Sequence, residues 1–152
     1  MKKAFKLLLV ILWMGVIFYF SNQKAEDSSK ISDGLIVRVA NVFVDKNLST
    51  VEKENILEKY TTIVRKGAHF TIYLILGILV INLLKEYDIK RLLLISLIVC
   101  LLYSISDEIH QTFIEGRSGE VRDVIIDTTG SLMGIYGYVL FNKILKKYCR
   151  KM

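Results

Sequence analysis

The chain of 152 residues is 53% hydrophobic, contains no proline and carries a formal net charge of +6. This apolar content is too high for an ordinary soluble domain. A soluble helical bundle is the alternative, but its helices would keep a polar face, and the block that contains LLLISLIVCLLY has none. The composition therefore predicts an all-α membrane protein.

Four apolar blocks predict about four transmembrane helices within a single domain, residues 1–152. The predicted spans are 4–20, 68–84, 92–108 and 124–141, and the outer loop between the first two is 21–66. Each span is at or slightly below the roughly 17–25 residues that a membrane helix needs, which polar helix ends can compensate. The first block could instead be a cleaved signal peptide, but no small-x-small cleavage site follows it. We therefore expect an uncleaved first helix.

The outer loop shows helical periodicity and is predicted to form two amphipathic helices outside the membrane. In its first half, apolar residues recur at three- and four-residue spacing, at Ile31, Leu35, Val39 and Val42. Its second half opens on a capping box, STVE, after which one face carries Ile56, Tyr60, Ile63 and Val64. Such helices would lie on the membrane surface or cover the bundle. A solvated amphipathic loop remains the alternative.

The distribution of basic residues predicts the orientation of the chain in the membrane. Basic residues crowd both termini and the link between the second and third spans, at Lys2, Lys3, Lys6, Lys85, Lys90, Arg91, Lys143, Lys146, Lys147, Arg150 and Lys151. The link between the third and fourth spans is acidic instead. Because basic loops stay in the cytoplasm, we predict that both termini are cytoplasmic. The net charge reflects this bias and gives no reason to expect nucleic acid as a partner.

Polar and ionisable side chains gather at one predicted depth, the outer boundary of the membrane. They come from three spans and the residues that flank them: Lys66, His69 and Tyr73 at the second, Asp107, Glu108 and Gln111 at the third, and Asp123 and Asp127 at the fourth. A charged group at membrane depth is costly, so its default interpretation is functional. The convergence of three helices makes this cluster the candidate ligand-binding site.

Several structural roles compete with a functional one for these residues. Asp123 and Asp127 could complement the dipole of a helix N-terminus. His69 could be a hydrogen-bonded histidine at the membrane boundary. Glu108 and Arg117 could be exposed loop charges or a structural ion pair.

Three kinds of chemistry fit the same set. Asp107, Glu108 and His69 could perform acid–base catalysis, because crowding and burial separate the pKa values of neighbouring carboxylates. His69 and the carboxylates could hold a divalent metal, but no H-x-x-x-H or comparable ligand spacing is present, so we predict neither a metal nor another cofactor. Gly116 suits a turn that brings Arg117 back over the helix ends. A lipid-linked phosphate could then be held by Arg65, Lys66, Arg117 and Arg122.

Two glycines in the last span, Gly130 and Gly134 in GSLMG, lie four residues apart. Small residues at this spacing allow two membrane helices to approach closely. Because chance matches are common in apolar segments, the motif predicts close packing and nothing more.

Three stretches of the sequence resemble the VanZ-like family. They are FSNQ at the end of the first span, RKGAHFTIYLILG at the start of the second, and SDEIHQTFIEGRSGEVRDVIIDTTGSLMG across the third and fourth. The matching positions are Lys66, His69, Tyr73, Asp107, Glu108, Gln111, Gly116, Arg117, Asp123 and Gly130. Two positions depart from the family pattern. Glu115 stands where proline is common, which leaves the turn less rigid, and Asp127 stands where asparagine is common, which adds a charge.

The resemblance implies a small bacterial plasma-membrane protein that acts at the cell envelope and is associated with reduced sensitivity to the glycopeptide teicoplanin. It supplies no reaction and no catalytic roles. We expect a protein that binds a lipid-linked envelope component at its outer face, with membrane lipids and a cell-wall or teichoic-acid precursor as partners.

Two other functions stay open at this point. One is a membrane-embedded hydrolase or transferase that acts on a phosphorylated lipid headgroup. The other is a proton-coupled transporter, which fits less well because the carboxylates lie on one side of the membrane. A homo-oligomer would make a transporter easier to accommodate.

Overall fold

The computed structural model describes residues 2–23 and 50–149, with side chains in the second range from residue 60 onward. Four α-helices make up nearly all of these residues: α1 is Lys2–Ser21, α2 is Thr50–Leu84, α3 is Leu92–Gln111 and α4 is Val121–Cys149. A single 3₁₀ turn, Lys85–Tyr87, follows α2. The described residues contain no strand, which confirms the all-α prediction.

Each helix contains a stretch that is long and apolar enough to cross a membrane, and in α2 that stretch begins at Tyr60. The four predicted spans are therefore confirmed as helices. The first predicted amphipathic helix, with Ile31 and Val42, lies outside the described residues, as does Ser49 of the capping box.

Two helices extend beyond the spans that hydropathy predicts. α2 begins at Thr50, so the second amphipathic stretch of the predicted outer loop is continuous with the second membrane helix. α4 continues to Cys149, past the predicted end at residue 141. The reason is that hydropathy marks where polarity changes, whereas a helix continues through lysine and glutamate, which are good helix formers. No proline interrupts either stretch.

Polar side chains are buried within the bundle, whereas large apolar side chains cover its exterior. Asp107 and Asp127 are 3% and 0% exposed, while Leu102 and Phe141 are both 61% exposed. A water-soluble protein shows the opposite arrangement for charged residues. The apolar exterior suits lipid tails as the surrounding solvent.

The most extensive helix contact in the bundle joins α2 and α4. A Cβ atom added at Gly77 would overlap the backbone of Ser131, and one added at Gly134 would overlap the carbonyl of Leu74. Gly130 meets the carbonyl of Phe70 in the same way. The close packing predicted from GSLMG is therefore confirmed, and α2 is the partner helix.

Hydrogen bonds attach α1 to the rest of the bundle along its length. The indole Nε1 of Trp13 donates to the carbonyl of Ile72 at 2.8 Å, and the Tyr103 hydroxyl donates to the carbonyl of Met14 at 2.6 Å. Near the other end, Lys6 donates to the side-chain oxygen of Asn82 at 2.9 Å. These bonds hold α1 against the other helices. Its last residue, Ser21, therefore lies close to the candidate site.

Candidate functional site

Asp107 lies at the centre of a buried hydrogen-bond network where α1 and α3 end, which we call the polar end of the bundle. Its Oδ2 accepts hydrogen bonds from the hydroxyls of Ser21 at 2.8 Å and Tyr73 at 3.2 Å. The Gln111 amide, one helical turn further along α3, donates to the same oxygen at 3.5 Å. Three helices thus present donors to one carboxylate oxygen, which fixes its orientation.

A second buried carboxylate, Asp127 of α4, faces His69 of α2. Asp127 Oδ1 lies 3.5 Å from His69 Nδ1, and its Oδ2 accepts a hydrogen bond from Ser104 at 3.2 Å. Asp127 is fully buried. The 3.5 Å contact is at the outer limit of a hydrogen bond, and neither Asp127 Oδ1, His69 Nδ1 nor Asp107 Oδ1 has a hydrogen-bond partner among the described residues.

Glu108 connects the end of α3 to the beginning of α4. Its Oε2 accepts a hydrogen bond from the backbone N–H of Glu120 at 3.0 Å, just before α4 begins. Its Oε1 accepts from the Gln111 amide at 3.4 Å. Both oxygens of Glu108 therefore have protein donors. This carboxylate holds the loop between α3 and α4 in place.

The loop after α3 returns Arg117 over the helix ends, as Gly116 predicts. Gly116 has a positive φ of 76°, which costs a residue with a side chain more than glycine. The Arg117 guanidinium donates to Gln111 Oε1 at 3.2 Å and to the Phe20 carbonyl at 3.4 Å. Its Nε is buried and has no acceptor among the described residues.

Burial also changes the energetics of the Arg117 guanidinium. Desolvation, and after it the positive charge of Arg65, lowers the pKa of Arg117 below its ordinary value. A guanidinium stays charged at neutral pH even so. Arg117 is therefore a partly desolvated cation that an anionic ligand would stabilise.

Lys66 is paired within the protein rather than free for a ligand. Its Nζ lies 2.6 Å from Asp123 Oδ1 and 3.5 Å from Glu120 Oε2. These ion pairs connect α2 to the beginning of α4. Arg122, another residue predicted to hold phosphate, is exposed.

The comparisons with known proteins agree with the architecture. The family model described as VanZ/LLP1 matches residues 5–142, which is most of the chain. The chain belongs to the VanZ/LLP1 family. Searches of curated proteins and of solved structures each return no match. Together with its four apolar helices, the family match makes this a multi-pass membrane protein.

In this VanZ/LLP1 protein, the predicted site residues converge. Hydrogen bonds and ion pairs at the polar end involve all nine of them: Lys66, His69, Tyr73, Asp107, Glu108, Gln111, Arg117, Asp123 and Asp127. That they bind a ligand stays a prediction.

Two serines contact the buried carboxylates, and the sequence assigned neither of them to the site. Ser21 follows the apolar run of α1, and this change from apolar to polar within FSNQ is the signal that could have identified it. Ser104 lies one turn before Glu108 on α3 and is fully buried. Its hydroxyl donates to Asp127 rather than to a histidine. The described residues therefore form no Ser–His–Asp triad around it.

A shallow apolar groove lies between α3 and α4, next to the polar end. Its volume is ≈ 220 Å³ and its lining is Leu101, Val124, Ile125, Thr128, Thr129 and Leu132. Val124 and Thr128 lie in the first turns of α4, so the groove begins at about the same depth along this helix as Asp127. An apolar chain that lay in this groove would bring its polar end near the site.

Proposed function

We propose that this VanZ/LLP1 protein binds the phosphorylated headgroup of a lipid-linked envelope component at the polar end of its bundle. Low-level teicoplanin resistance is then a consequence of that binding. The observation that carries the proposal is the partly buried Arg117 guanidinium, whose Nε has no acceptor among the described residues. A guanidinium matches the geometry of phosphate oxygens.

The arrangement of charge along the bundle supports an anionic ligand that enters from the membrane surface. Arg117 contacts the ends of α1 and α3, through Phe20 and Gln111. Asp127 lies one turn further into α4 than Asp123, the partner of Lys66. A headgroup that approaches the helix ends therefore meets Arg117 before it reaches the buried carboxylates.

The groove between α3 and α4 supports a ligand that also has an apolar chain. Its side chains Leu101 and Leu132 are apolar, and Thr128 lies beside the site. An isoprenoid or acyl chain in the groove would keep the phosphate within reach of the polar end. A soluble phosphate compound would leave this groove unused.

The proposal places the polar end on the outer side of the membrane. The basic residues Lys2, Lys3 and Lys90 lie at the opposite end of the bundle, and the positive-inside bias favours a cytoplasmic location for that end. Envelope precursors that carry a lipid-linked phosphate would reach the polar end from the outer leaflet.

A susceptibility assay tests the link to teicoplanin. The wild-type protein, Arg117→Gln and Arg91→Gln are expressed at equal levels in a sensitised host. Arg91 is exposed and lies at the opposite end of the bundle, so it is the matched control. We expect wild-type protein and Arg91→Gln to reduce susceptibility and Arg117→Gln to have no effect. Equal protection by Arg117→Gln would contradict the proposal.

A hydrolase or transferase that acts on such a headgroup is the second candidate function. The observation that favours it is the partly buried imidazole of His69 beside Asp127, since such a pair can move a proton during a reaction. Purified protein is incubated with undecaprenyl pyrophosphate and phosphate release is measured. Release that His69→Gln abolishes would support an enzyme, whereas binding without any release would exclude this substrate.

A further inference from the structure

The two most deeply buried carboxylates of the polar end converge on one imidazole. A potential ligand atom from each of His69, Asp107 and Asp127 lies within 4.8 Å of the other two. We propose that these three residues bind a divalent transition-metal ion, Mn²⁺ or Zn²⁺. The inference deepens the proposed headgroup binding, because it concerns the inner part of the same site.

Charge balance is the first argument for a cation. Asp107 and Asp127 are 3% and 0% exposed, and an isolated buried carboxylate is costly unless it is paired. No Lys or Arg side chain among the described residues makes an ion pair with either carboxylate: Lys66 pairs with Asp123, and Arg117 donates its hydrogen bonds to Gln111 and a carbonyl. His69 alone can supply at most one positive charge for the two carboxylates.

The second observation concerns buried atoms at the centre of the cluster. Asp107 Oδ1 is buried and has no hydrogen-bond partner among the described residues. Asp127 Oδ1 and His69 Nδ1 have only each other, at 3.5 Å, which is long for a hydrogen bond. Buried polar atoms almost always have hydrogen-bond partners, and a bound ion is one explanation for an exception. A cation between these three atoms would satisfy all of them.

In both carboxylates, the Oδ2 atom accepts hydrogen bonds from the protein, as is common for carboxylates that bind a metal through the other oxygen. Asp107 Oδ2 accepts from the hydroxyls of Ser21 and Tyr73, and Asp127 Oδ2 accepts from Ser104. In each carboxylate, the oxygen without a protein donor is the one left for the ion. Such supporting hydrogen bonds orient the ligands and adjust the affinity for metal.

The distances fit with a small contraction. Metal–ligand bonds of about 2.0–2.2 Å place neighbouring ligand atoms roughly 3–3.5 Å apart. His69 Nδ1 and Asp127 Oδ1 are already 3.5 Å apart. The widest separation, 4.8 Å at most, closes if the carboxylate of Asp107 rotates about its side-chain bonds.

The ligand types select the class of ion. Imidazole suits zinc and other transition metals, while carboxylate suits manganese, so one nitrogen with two oxygens favours Mn²⁺ or Zn²⁺. Three protein ligands leave coordination positions open, as in catalytic zinc sites. A phosphate oxygen could occupy one of them, which would offset the repulsion between a headgroup and the two carboxylates.

Metal content tests the inference without any lipid. The protein is purified in detergent, treated with EDTA, and titrated with Mn²⁺ or Zn²⁺; bound ion is measured by electron paramagnetic resonance or elemental analysis. We expect one ion per chain and a loss of affinity of at least about tenfold in Asp127→Asn and in His69→Gln. The control is Asp88→Asn, the same substitution at an exposed carboxylate at the opposite end of the bundle, which should retain the wild-type affinity.

Three results would overturn the inference. One is that wild-type protein binds neither ion; this is also the result if the carboxylates hold a proton instead. Another is equal affinity in Asp127→Asn and Asp88→Asn. The third concerns wild-type protein alone and so does not depend on variants that fold: bound Mn²⁺ that shows no magnetic coupling to a nitrogen nucleus would exclude His69 as a ligand. Protein that binds the ion but no phosphorylated lipid would refute the proposed function only.

Discussion

At the scale of the residue, two adjacent carboxylates of α3 have different partners. Glu108 has protein donors on both oxygens, including a backbone N–H at the start of α4. Asp107 has all of its donors on one oxygen, and the other has no hydrogen-bond partner among the described residues. Glu108 is therefore committed to holding the loop, while Asp107 keeps an oxygen for a ligand. Adjacent positions on a helix point in different directions, which is why the roles separate.

The role of Glu108 leads to a prediction about stability. Glu108→Ala removes the acceptor of the Glu120 N–H, and a buried donor without a partner costs about 1–3 kcal/mol. Glu108→Gln keeps an oxygen in the same place and should lose much less. Unfolding of both variants in detergent, followed by circular dichroism, measures the difference. Equal stability of the alanine and glutamine variants would show that the loop does not depend on this bond.

At the scale of the element, the α2–α4 pair is the rigid part that positions the site. His69 and Asp127 lie on these two helices, 3.5 Å apart, where the two backbones approach each other closely. Gly77, Gly130 and Gly134 make this approach possible, since each faces a backbone atom of the other helix. In lipid, the hydrophobic effect does not drive helices together. Small residues at the contact allow close van der Waals packing, which stabilises the pair instead.

The glycine contact leads to a prediction with a control on the same helix. Gly134→Ala would overlap the carbonyl of Leu74, whereas an alanine at Gly137 meets nothing within 4 Å. We expect Gly134→Ala to destabilise the protein by roughly 1–3 kcal/mol or more, as overpacking does. Gly137→Ala should change stability by less than about 1 kcal/mol. Thermal unfolding in detergent measures both, and similar effects of the two substitutions would contradict close α2–α4 packing.

At the scale of the whole molecule, buried carboxylates lie inside a bundle whose exterior carries many large apolar side chains. The exterior of the helices carries exposed residues such as Leu102 and Phe141, while the interior of the polar end carries Asp107 and Asp127. Membrane proteins keep ionisable residues within the bundle or beside a water-filled cavity. All four helices are therefore needed to bury these carboxylates and to supply their hydrogen-bond donors.

Orientation in the membrane is the prediction that belongs to this scale. Cys149 is exposed at the end of α4, and Cys100 is buried. With both termini cytoplasmic, a membrane-impermeant maleimide should label Cys149 only after cell lysis. Ser118→Cys, in the exposed loop between α3 and α4, should be labelled in intact cells when Cys149 is replaced by serine. Labelling of Cys149 in intact cells would place the polar end in the cytoplasm instead.

Much of the architecture and of the cluster could be predicted from the sequence, for identifiable reasons. Apolar blocks revealed the helices, and basic residues suggested an orientation. Helix lengths could not be read from hydropathy, since α2 continues back to Thr50 through polar residues. The sequence also does not show which side chains pair with each other in the folded protein. Lys66 satisfies Asp123, and Glu108 satisfies a backbone N–H, only because three helices meet at specific positions.

Direct binding of a phosphorylated lipid tests the central claim most closely. Purified wild-type protein and Arg117→Gln are compared by native mass spectrometry with undecaprenyl phosphate and with undecaprenol, which lacks the phosphate. We expect wild-type protein to prefer the phosphorylated lipid. We expect Arg117→Gln to bind it roughly tenfold or more weakly, since a hydrogen bond from a charged group contributes about 1.5–3 kcal/mol. Equal binding of the two lipids by wild-type protein, or unchanged affinity in Arg117→Gln, would contradict the account.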